Sequence, residues 1–101
     1  MIKVSITKKD NKISKITMTG HAEHDEYGKD IVCAAASSIA ITSVNAILKL
    51  NEKAITVSED DGLEIIVNSH DEVTSILISN MIDLLKELQE QYKENIKIIN
   101  I

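Results

Sequence analysis

Aromatic residues are nearly absent from this chain of 101 residues. Tryptophan and phenylalanine do not occur, and aromatic residues make up only 2% of the sequence. Because single-stranded nucleic acid is usually held by stacking its bases on aromatic rings, this scarcity argues against that class of binding protein. The formal net charge of −5 also has the wrong sign for a protein that binds a phosphate backbone. We therefore expect no direct nucleic acid partner.

Cysteine and long apolar runs are also scarce. The single cysteine, Cys33, cannot form a disulfide within the chain, so cysteine usage does not indicate secretion. Residues 1–10 alternate between apolar and polar types, unlike the apolar core of a signal peptide. No run approaches the roughly 20 apolar residues that a membrane span needs. The sequence therefore predicts a cytoplasmic protein without a membrane-spanning segment.

Alternation of apolar and polar residues predicts two β-hairpins. The first runs from Ile2 to about Gly20, with turn residues at 9–12. The second includes apolar positions from Ile55 to Val67, with the acidic sequence Glu-Asp-Asp-Gly at 59–62 as its turn. A short final strand is predicted by Ile96, Ile98 and Ile101.

Helical spacing of apolar residues predicts two helices. The first runs from Ile31 to about Leu50 and is apolar on most sides, which indicates an unusually buried helix. The second follows Ser69 and Glu72, which have the spacing of a capping box that also contains His70. Its predicted apolar stripe consists of Val73, Ile76, Leu77, Met81, Leu84, Leu85, Leu88 and Tyr92.

The element order is therefore ββαββαβ in one domain, residues 1–101. Each hairpin has one apolar face, and each helix supplies an apolar stripe that can cover it. We expect an α+β two-layer sandwich, in which two helices pack on a mostly antiparallel sheet.

Cys33 lies where the pattern changes from loop to helix. Asp30 is a preferred N-cap residue, and if it caps the helix, Cys33 lies in the first turn. Free backbone N–H groups and the positive end of the helix dipole favour a thiolate there. A capping Asp30 would occupy some of those donors and add a negative charge. The position on the helix alone therefore does not determine whether Cys33 is a thiol or a thiolate. A structural cysteine buried among apolar neighbours is the simpler alternative.

His21 and Ser37 could complete a catalytic site around Cys33. His21 follows the predicted strand that ends near Gly20, and a neighbouring imidazole can take the proton of a thiol. Ser37 lies four residues after Cys33, so the two share a helix face, and its hydroxyl could bond the sulfur or position a substrate. The simpler alternatives are a packed or solvated histidine and a small helix residue that lets the helix approach the sheet.

A zinc site is the competing interpretation of the same stretch. His21, His24 and Cys33, together with Asp25 or Asp30, include enough ligand types for zinc. Structural zinc sites usually show paired cysteines or histidines at tighter spacings, which this stretch lacks. We therefore expect no metal and no other cofactor.

Residues 20–37 taken together resemble the signature of the bacterial ribosomal-processing cysteine protease family, called Prp. The resemblance is carried by Gly20-His21-Ala22, then Gly28, then Asp30-Ile31-Val32-Cys33-Ala34-Ala35 and Ser37. It implies a single cysteine protease domain, a cytosolic endopeptidase that is usually a homodimer. In the family, the substrate is the N-terminal extension of a large-subunit ribosomal protein.

The resemblance also implies roles for individual residues. It places the nucleophile on Cys33 and the general base on His21, with Gly20, Asp30 and Ser37 as further active-site positions. Asp30 could orient His21 or cap the helix, and capping is the favoured role. A loop that covers the site in the family corresponds here to Ala22, Glu23, His24, Asp25, Glu26, Tyr27, Gly28 and Lys29.

The chemistry of these residue types agrees with the assignment. His21 would deprotonate Cys33, and the sulfur would attack the scissile carbonyl to form a thioester that water then hydrolyses. Free N–H groups in the first helical turn could stabilise the oxyanion. Two other functions stay open from the residues alone: a non-catalytic, ribosome-associated binding module with a structural Cys33, and a small zinc-binding protein.

Overall fold

The computed structural model describes residues 1–20 and 27–101, with side chains described for 1–20 and 31–101. Its elements follow the predicted order ββαββαβ. They are β1 (Ile2–Lys9), β2 (Lys12–Thr19), α1 (Tyr27–Leu50), β3 (Ile55–Ser58), β4 (Leu63–Val67), α2 (Glu72–Gln91) and β5 (Ile96–Asn100). The predicted α+β sandwich is confirmed, because both helices contribute to one hydrophobic core on the sheet.

The sheet has the strand order β3-β4-β2-β1-β5. Each hairpin is antiparallel, and β2 pairs with β4 in the antiparallel direction, with Met18 opposite Leu63. The last strand, β5, joins the edge beside β1 in the parallel direction. The β2–β4 pairing joins the two hairpins, and it brings the turn between β3 and β4 to the end of β2.

Hairpin turns form where the sequence predicts them. Asp10 and Asn11 adopt positive φ angles of 54° and 63°, as a two-residue turn between antiparallel strands requires. Gly62 closes the second turn at a φ of +83°. A side chain there would be strained, and a Cβ would lie 2.5 Å from the carbonyl oxygen of Met18.

The core lies between the sheet and the two helices. Along β1, alternate residues Ile2, Val4 and Ile6 are buried, as the period of two predicts. The face of α1 that packs on the sheet includes Ala36 and Ala40, which are both fully buried. These small side chains lie in the core that the sheet shares with both helices, and the backbone of α1 approaches that of α2 more closely than it approaches any strand.

The start of α1 corrects the sequence prediction. The helix begins at Tyr27 instead of Ile31, so Asp30 is its fourth residue and the prediction that Asp30 is the N-cap was wrong. The prediction treated Gly28 as a loop residue. A glycine inside a helix costs only about 1 kcal/mol relative to alanine, however, and the packing of a 24-residue helix offsets that cost.

The start of α2 is also corrected. Asp71 is the N-cap: its Oδ1 accepts a hydrogen bond of 2.7 Å from the backbone N–H of Thr74. The hydroxyl of Ser69 donates to the other carboxylate oxygen at 2.8 Å, so Ser69 supports the cap instead of forming it. His70 precedes the cap, with its Nε2 3.0 Å from the carbonyl oxygen of Ile13.

The buried face of α2 differs from the predicted stripe. Val73, Ile76 and Leu84 were predicted to face the core, yet all three are exposed. The buried positions are Thr74, Ile78, Met81, Ile82, Leu85 and Leu88. Because apolar residues occur around more than one side of this helix, the spacing alone does not decide which side packs on the sheet.

The composition of α1 also corrects the prediction about apolar runs. Residues Ile31–Leu50 have a mean hydropathy of 2.0 and are long and apolar enough, by those measures alone, to cross a membrane. A core helix of a soluble domain passes the same test, and α1 does contribute one face to the core. Its exposed side is unusual in that no charged residue occurs from Ile31 to Leu48.

Candidate active site

Cys33 borders a cavity of about 410 Å³ that lies between α1, the end of β2 and the turn that joins β3 to β4. The thiol is free and partly buried, and it packs against the edge of the hydrophobic core. Its neighbour Val32 is buried, which fixes the rotation of the helix and leaves Cys33 facing the cavity. The alternative of a cysteine sealed in the core is therefore wrong.

Ser37 lines the same cavity as Cys33, one helical turn further along α1. Residues four apart on a helix share a face, so the sequence prediction that these two side chains lie together is consistent with the structure. Ser37 is exposed at the cavity, whereas Ala36 and Ala40, which also line it, are fully buried and belong to the hydrophobic core. The cavity therefore presents a thiol and a hydroxyl on one wall.

Gly20 forms the part of the cavity wall at the end of β2. Its φ is +87°, and a Cβ at this position would collide with the carbonyl oxygen of Met1. Only glycine is accommodated here without strain. His21 is the next residue in the sequence and lies outside the described residues, so its pairing with Cys33 stays a prediction.

The later start of α1 changes two predictions near Cys33. Cys33 is the seventh residue of the helix, so the first-turn N–H groups that lack intrahelical partners precede it by about one turn. The expectation that Cys33 lies in the first turn was wrong. Tyr27, Gly28 and Lys29 were predicted to belong to the covering loop, but they are helical and form the first three residues of α1. Residues 22–26 lie outside the described residues, as does the side chain of Asp30.

An acidic wall of the cavity was not predicted. Glu59, Asp60 and Asp61, in the turn between β3 and β4, are exposed and line the same cavity as residues of α1. The sequence identifies this turn but gives no sign that it lies beside Cys33. That placement depends on the pairing of β2 with β4, which joins segments far apart in the chain.

Apolar side chains form the rest of the described lining. Met18 and Leu63 come from the paired ends of β2 and β4, and Ile41 comes from α1. Ile41 is 48% exposed, so a large apolar side chain faces solvent at the cavity. A cavity that combines an apolar floor with a few polar groups suits a ligand with both kinds of side chain, such as a peptide.

The zinc hypothesis receives no support from the described part of the chain. Within residues 1–20 and 31–101, no three histidine, cysteine, aspartate or glutamate side chains are placed to hold a metal ion. The predicted zinc ligands His21, His24, Asp25 and Asp30 lie outside the described side chains. The hypothesis therefore depends only on the weak sequence spacing.

Comparison with known proteins gives consistent matches over almost the whole chain. The model of the family described as cysteine protease Prp matches residues 1–97. The ribosomal processing cysteine protease Prp of Staphylococcus aureus is 38% identical over 104 residues, which cover 97% of this chain and 97% of the relative.

Solved structures agree in fold over the full chain. A crystal structure of the essential ribosomal processing protease Prp from S. aureus, in complex with a substrate peptide, superimposes with a TM-score of 0.90 at 34% identity. A second crystal structure of that protease, with a covalently linked product peptide, gives a TM-score of 0.86 at 35% identity. Both matches cover 100% of each chain.

Proposed function

Because this chain belongs to the family of the cysteine protease Prp, and is therefore a cysteine protease, we propose that it removes the N-terminal extension of a large-subunit ribosomal protein. The observation that carries the proposal is the position of Cys33. It is the only cysteine in the sequence, and it borders an open cavity beside α1. A cysteine protease with a single cysteine has one candidate nucleophile. Membership of a cysteine protease family argues against the alternative of a non-catalytic binding module.

The names of the relatives support the choice of substrate. The S. aureus relative is a ribosomal processing protease, and it has been crystallised with a substrate peptide and with a covalently linked product peptide. The cavity beside Cys33 has the mixed apolar and polar lining that a peptide segment requires. We infer that an extension peptide binds in this cavity with its scissile carbonyl next to the sulfur.

His21 is the proposed general base. It follows Gly20, which lines the cavity, and consecutive Cα atoms lie only about 3.8 Å apart. Its imidazole would accept the thiol proton as the sulfur attacks the carbonyl carbon. The peptide C–N bond then breaks, the imidazolium protonates the leaving amine, and the extension stays on Cys33 as a thioester. Water, deprotonated by His21, hydrolyses the thioester and restores the thiol.

Asp30 and Ser37 have supporting roles in this proposal. Since α1 begins at Tyr27, Asp30 lies within the helix and does not cap it. Its proposed role is therefore to orient His21. Ser37 lines the cavity one turn from Cys33, where its hydroxyl can bond the substrate backbone or the sulfur.

We also propose that the protein is a cytoplasmic homodimer that binds neither nucleic acid nor membranes. The exposed side of α1 supports a second copy as partner, because it carries no charge from Ile31 to Leu48 and exposes Ile31 and Ile41. Depletion of charge is typical of the centre of a protein–protein interface. Sedimentation equilibrium should give twice the chain mass, and a monomer at all concentrations would contradict the proposal.

The proposed cleavage is tested by incubation with the extended ribosomal protein from the same organism. Mass spectrometry should identify one shortened product with the wild-type chain. Cys33→Ala and His21→Ala should give none, while their circular dichroism spectra stay native. Ser38→Ala is the control, because Ser38 is exposed on α1 next to Ser37. Cleavage by either catalytic variant would overturn the assigned mechanism.

A further inference from the structure

We propose that the turn Glu59–Asp61, hereafter the acidic turn, is a specificity element that recognises a cationic side chain of the peptide bound beside Cys33. The inference depends on the proposed function in that a peptide occupies this cavity, and it goes further by naming a charge requirement of the substrate. The starting observation is that the acidic turn and Cys33 line one cavity of about 410 Å³.

The acidic turn is held firmly against the sheet end of the cavity. Met18 of β2 is paired with Leu63 of β4, directly after the turn. The close approach of Gly62 to Met18 leaves no space for a side chain there, so the base of the turn packs on the backbone of β2. A turn that is fixed at its base can present its carboxylates at a constant position in the cavity that Cys33 also lines.

The charges of the cavity have one sign among the described residues. The only charged residues in that described lining are Glu59, Asp60 and Asp61. All three are exposed, so their charges face the solvent through which a peptide approaches. Negative charge along one wall of a cleft attracts cations and repels anions.

The arrangement suits an organic cation better than a metal ion. Within the described residues, no three carboxylates, histidines or cysteines are placed to hold a metal. The acidic turn also adjoins apolar side chains, with Leu63 and Met18 at its base. Lysine and arginine combine a long aliphatic stem with a charged end, so they can pack on such a surface and place their charge at the turn.

The test compares matched peptides with matched variants. The peptides span the bond that the wild-type chain cuts, with each lysine or arginine replaced in turn by glutamine. The variant Glu59→Gln/Asp60→Asn/Asp61→Asn removes the charges of the turn. Because Asn-Gly forms the same turns as Asp-Gly, Asp61→Asn preserves the turn at Gly62. The control Asp83→Asn/Glu87→Gln/Glu90→Gln removes equal charge from exposed positions on α2.

We expect one lysine or arginine of the peptide to increase the kcat/KM with which the wild-type chain cuts it. Its replacement by glutamine should lower kcat/KM about two- to fivefold with the wild-type chain and with the α2 control. The difference between the two peptides should shrink in high salt. The turn variant should cut both peptides at nearly the same rate. Dissociation constants with Cys33→Ala as background should show the same pattern, which separates binding from catalysis.

Each outcome has a distinct meaning. If the wild-type chain cuts the precursor but no cationic residue matters, or the turn variant discriminates as the control does, the inference is overturned and the proposed function stands. If the segment that the wild-type chain cuts contains no lysine or arginine, the inference is likewise overturned and the proposed function stands. If the wild-type chain neither cuts nor binds the peptides, both proposals fail together. If the triple variant is unfolded by circular dichroism, Asp61→Asn alone should still lose part of the discrimination.

Discussion

Gly20 at the end of β2 and Cys33 on α1 line the same cavity, although they belong to different layers of the fold. The end of β2 and the helix α1 therefore both border this cavity. Glycine is required at this strand end because its φ is positive and a Cβ would collide with the backbone of Met1. Three predictions follow from the packing around this cavity and from the cap of α2.

Ser37→Ala should reduce activity without reducing stability. Ser37 lines the cavity beside Cys33, and loss of one hydrogen bond of about 1 kcal/mol corresponds to about a fivefold lower kcat/KM. The matched control is Ser38→Ala, an exposed neighbour on the same helix. Equal kcat/KM values for the two variants and the wild-type chain would exclude a role for Ser37.

Ala40→Leu should destabilise the fold. Ala40 is fully buried in the hydrophobic core, so a larger side chain should lower the free energy of unfolding by about 1–3 kcal/mol. Urea unfolding followed by circular dichroism measures this difference. Ala34→Leu, at an exposed position of α1, controls for helix propensity and should change stability by less than about 0.5 kcal/mol. An equally small effect at Ala40 would contradict its close packing in the core.

Asp71→Asn should alter the pH dependence of stability. The hydrogen bond from the backbone N–H of Thr74, and next the bond from the Ser69 hydroxyl, lower the pKa of Asp71 from its ordinary value. A lowered pKa in the folded state stabilises the protein above the ordinary pKa, near pH 4, and this contribution disappears as the pH falls through the lowered value.

Melting temperatures test that prediction. The wild-type chain should melt above Asp71→Asn at pH 7, and the difference should shrink on acidification below pH 4. Asp83→Asn, on an exposed site of the same helix, controls for the loss of one negative charge. A difference between wild type and Asp71→Asn that does not depend on pH would refute the cap.

The strands were predictable because each has a local signature. Alternating side chains in β1 and the Asp-Gly turn at Asp61 specify hairpins without reference to the rest of the chain. The order of the strands carries no such local signal. The pairing of Met18 with Leu63 is a contact between distant segments, so the position of the acidic turn became visible only in the structure.

Helix limits and helix faces were harder to predict. Gly28 suggested a loop, but the helix α1 includes it. Cys33 therefore lies in the second turn of the helix, whereas the sequence predicted the first turn. In α2, Ile76 is apolar but exposed, while the buried face includes Thr74. In α2, tertiary packing decided which of several apolar sides is buried, which the local sequence left open.

The motif of the site was informative because it combines several residue types at fixed spacings. Cys33 and Ser37 could be placed on one helix face from their spacing alone, and both line the cavity. The acidic residues Glu59 to Asp61 lie outside that motif. Nothing in their own sequence distinguishes a solvated turn from one wall of a binding cavity.

The central claim is that Cys33 is the nucleophile, and partial alkylation tests it directly. Because the chain has one cysteine, the mass of the alkylated protein reports modification of Cys33 alone. The chain is treated with increasing iodoacetamide, and each sample is assayed for cleavage of the extended ribosomal protein. We expect the cleavage rate to fall in proportion to the alkylated fraction and to reach zero at complete modification. Cleavage that persists in the fully alkylated protein would contradict the account.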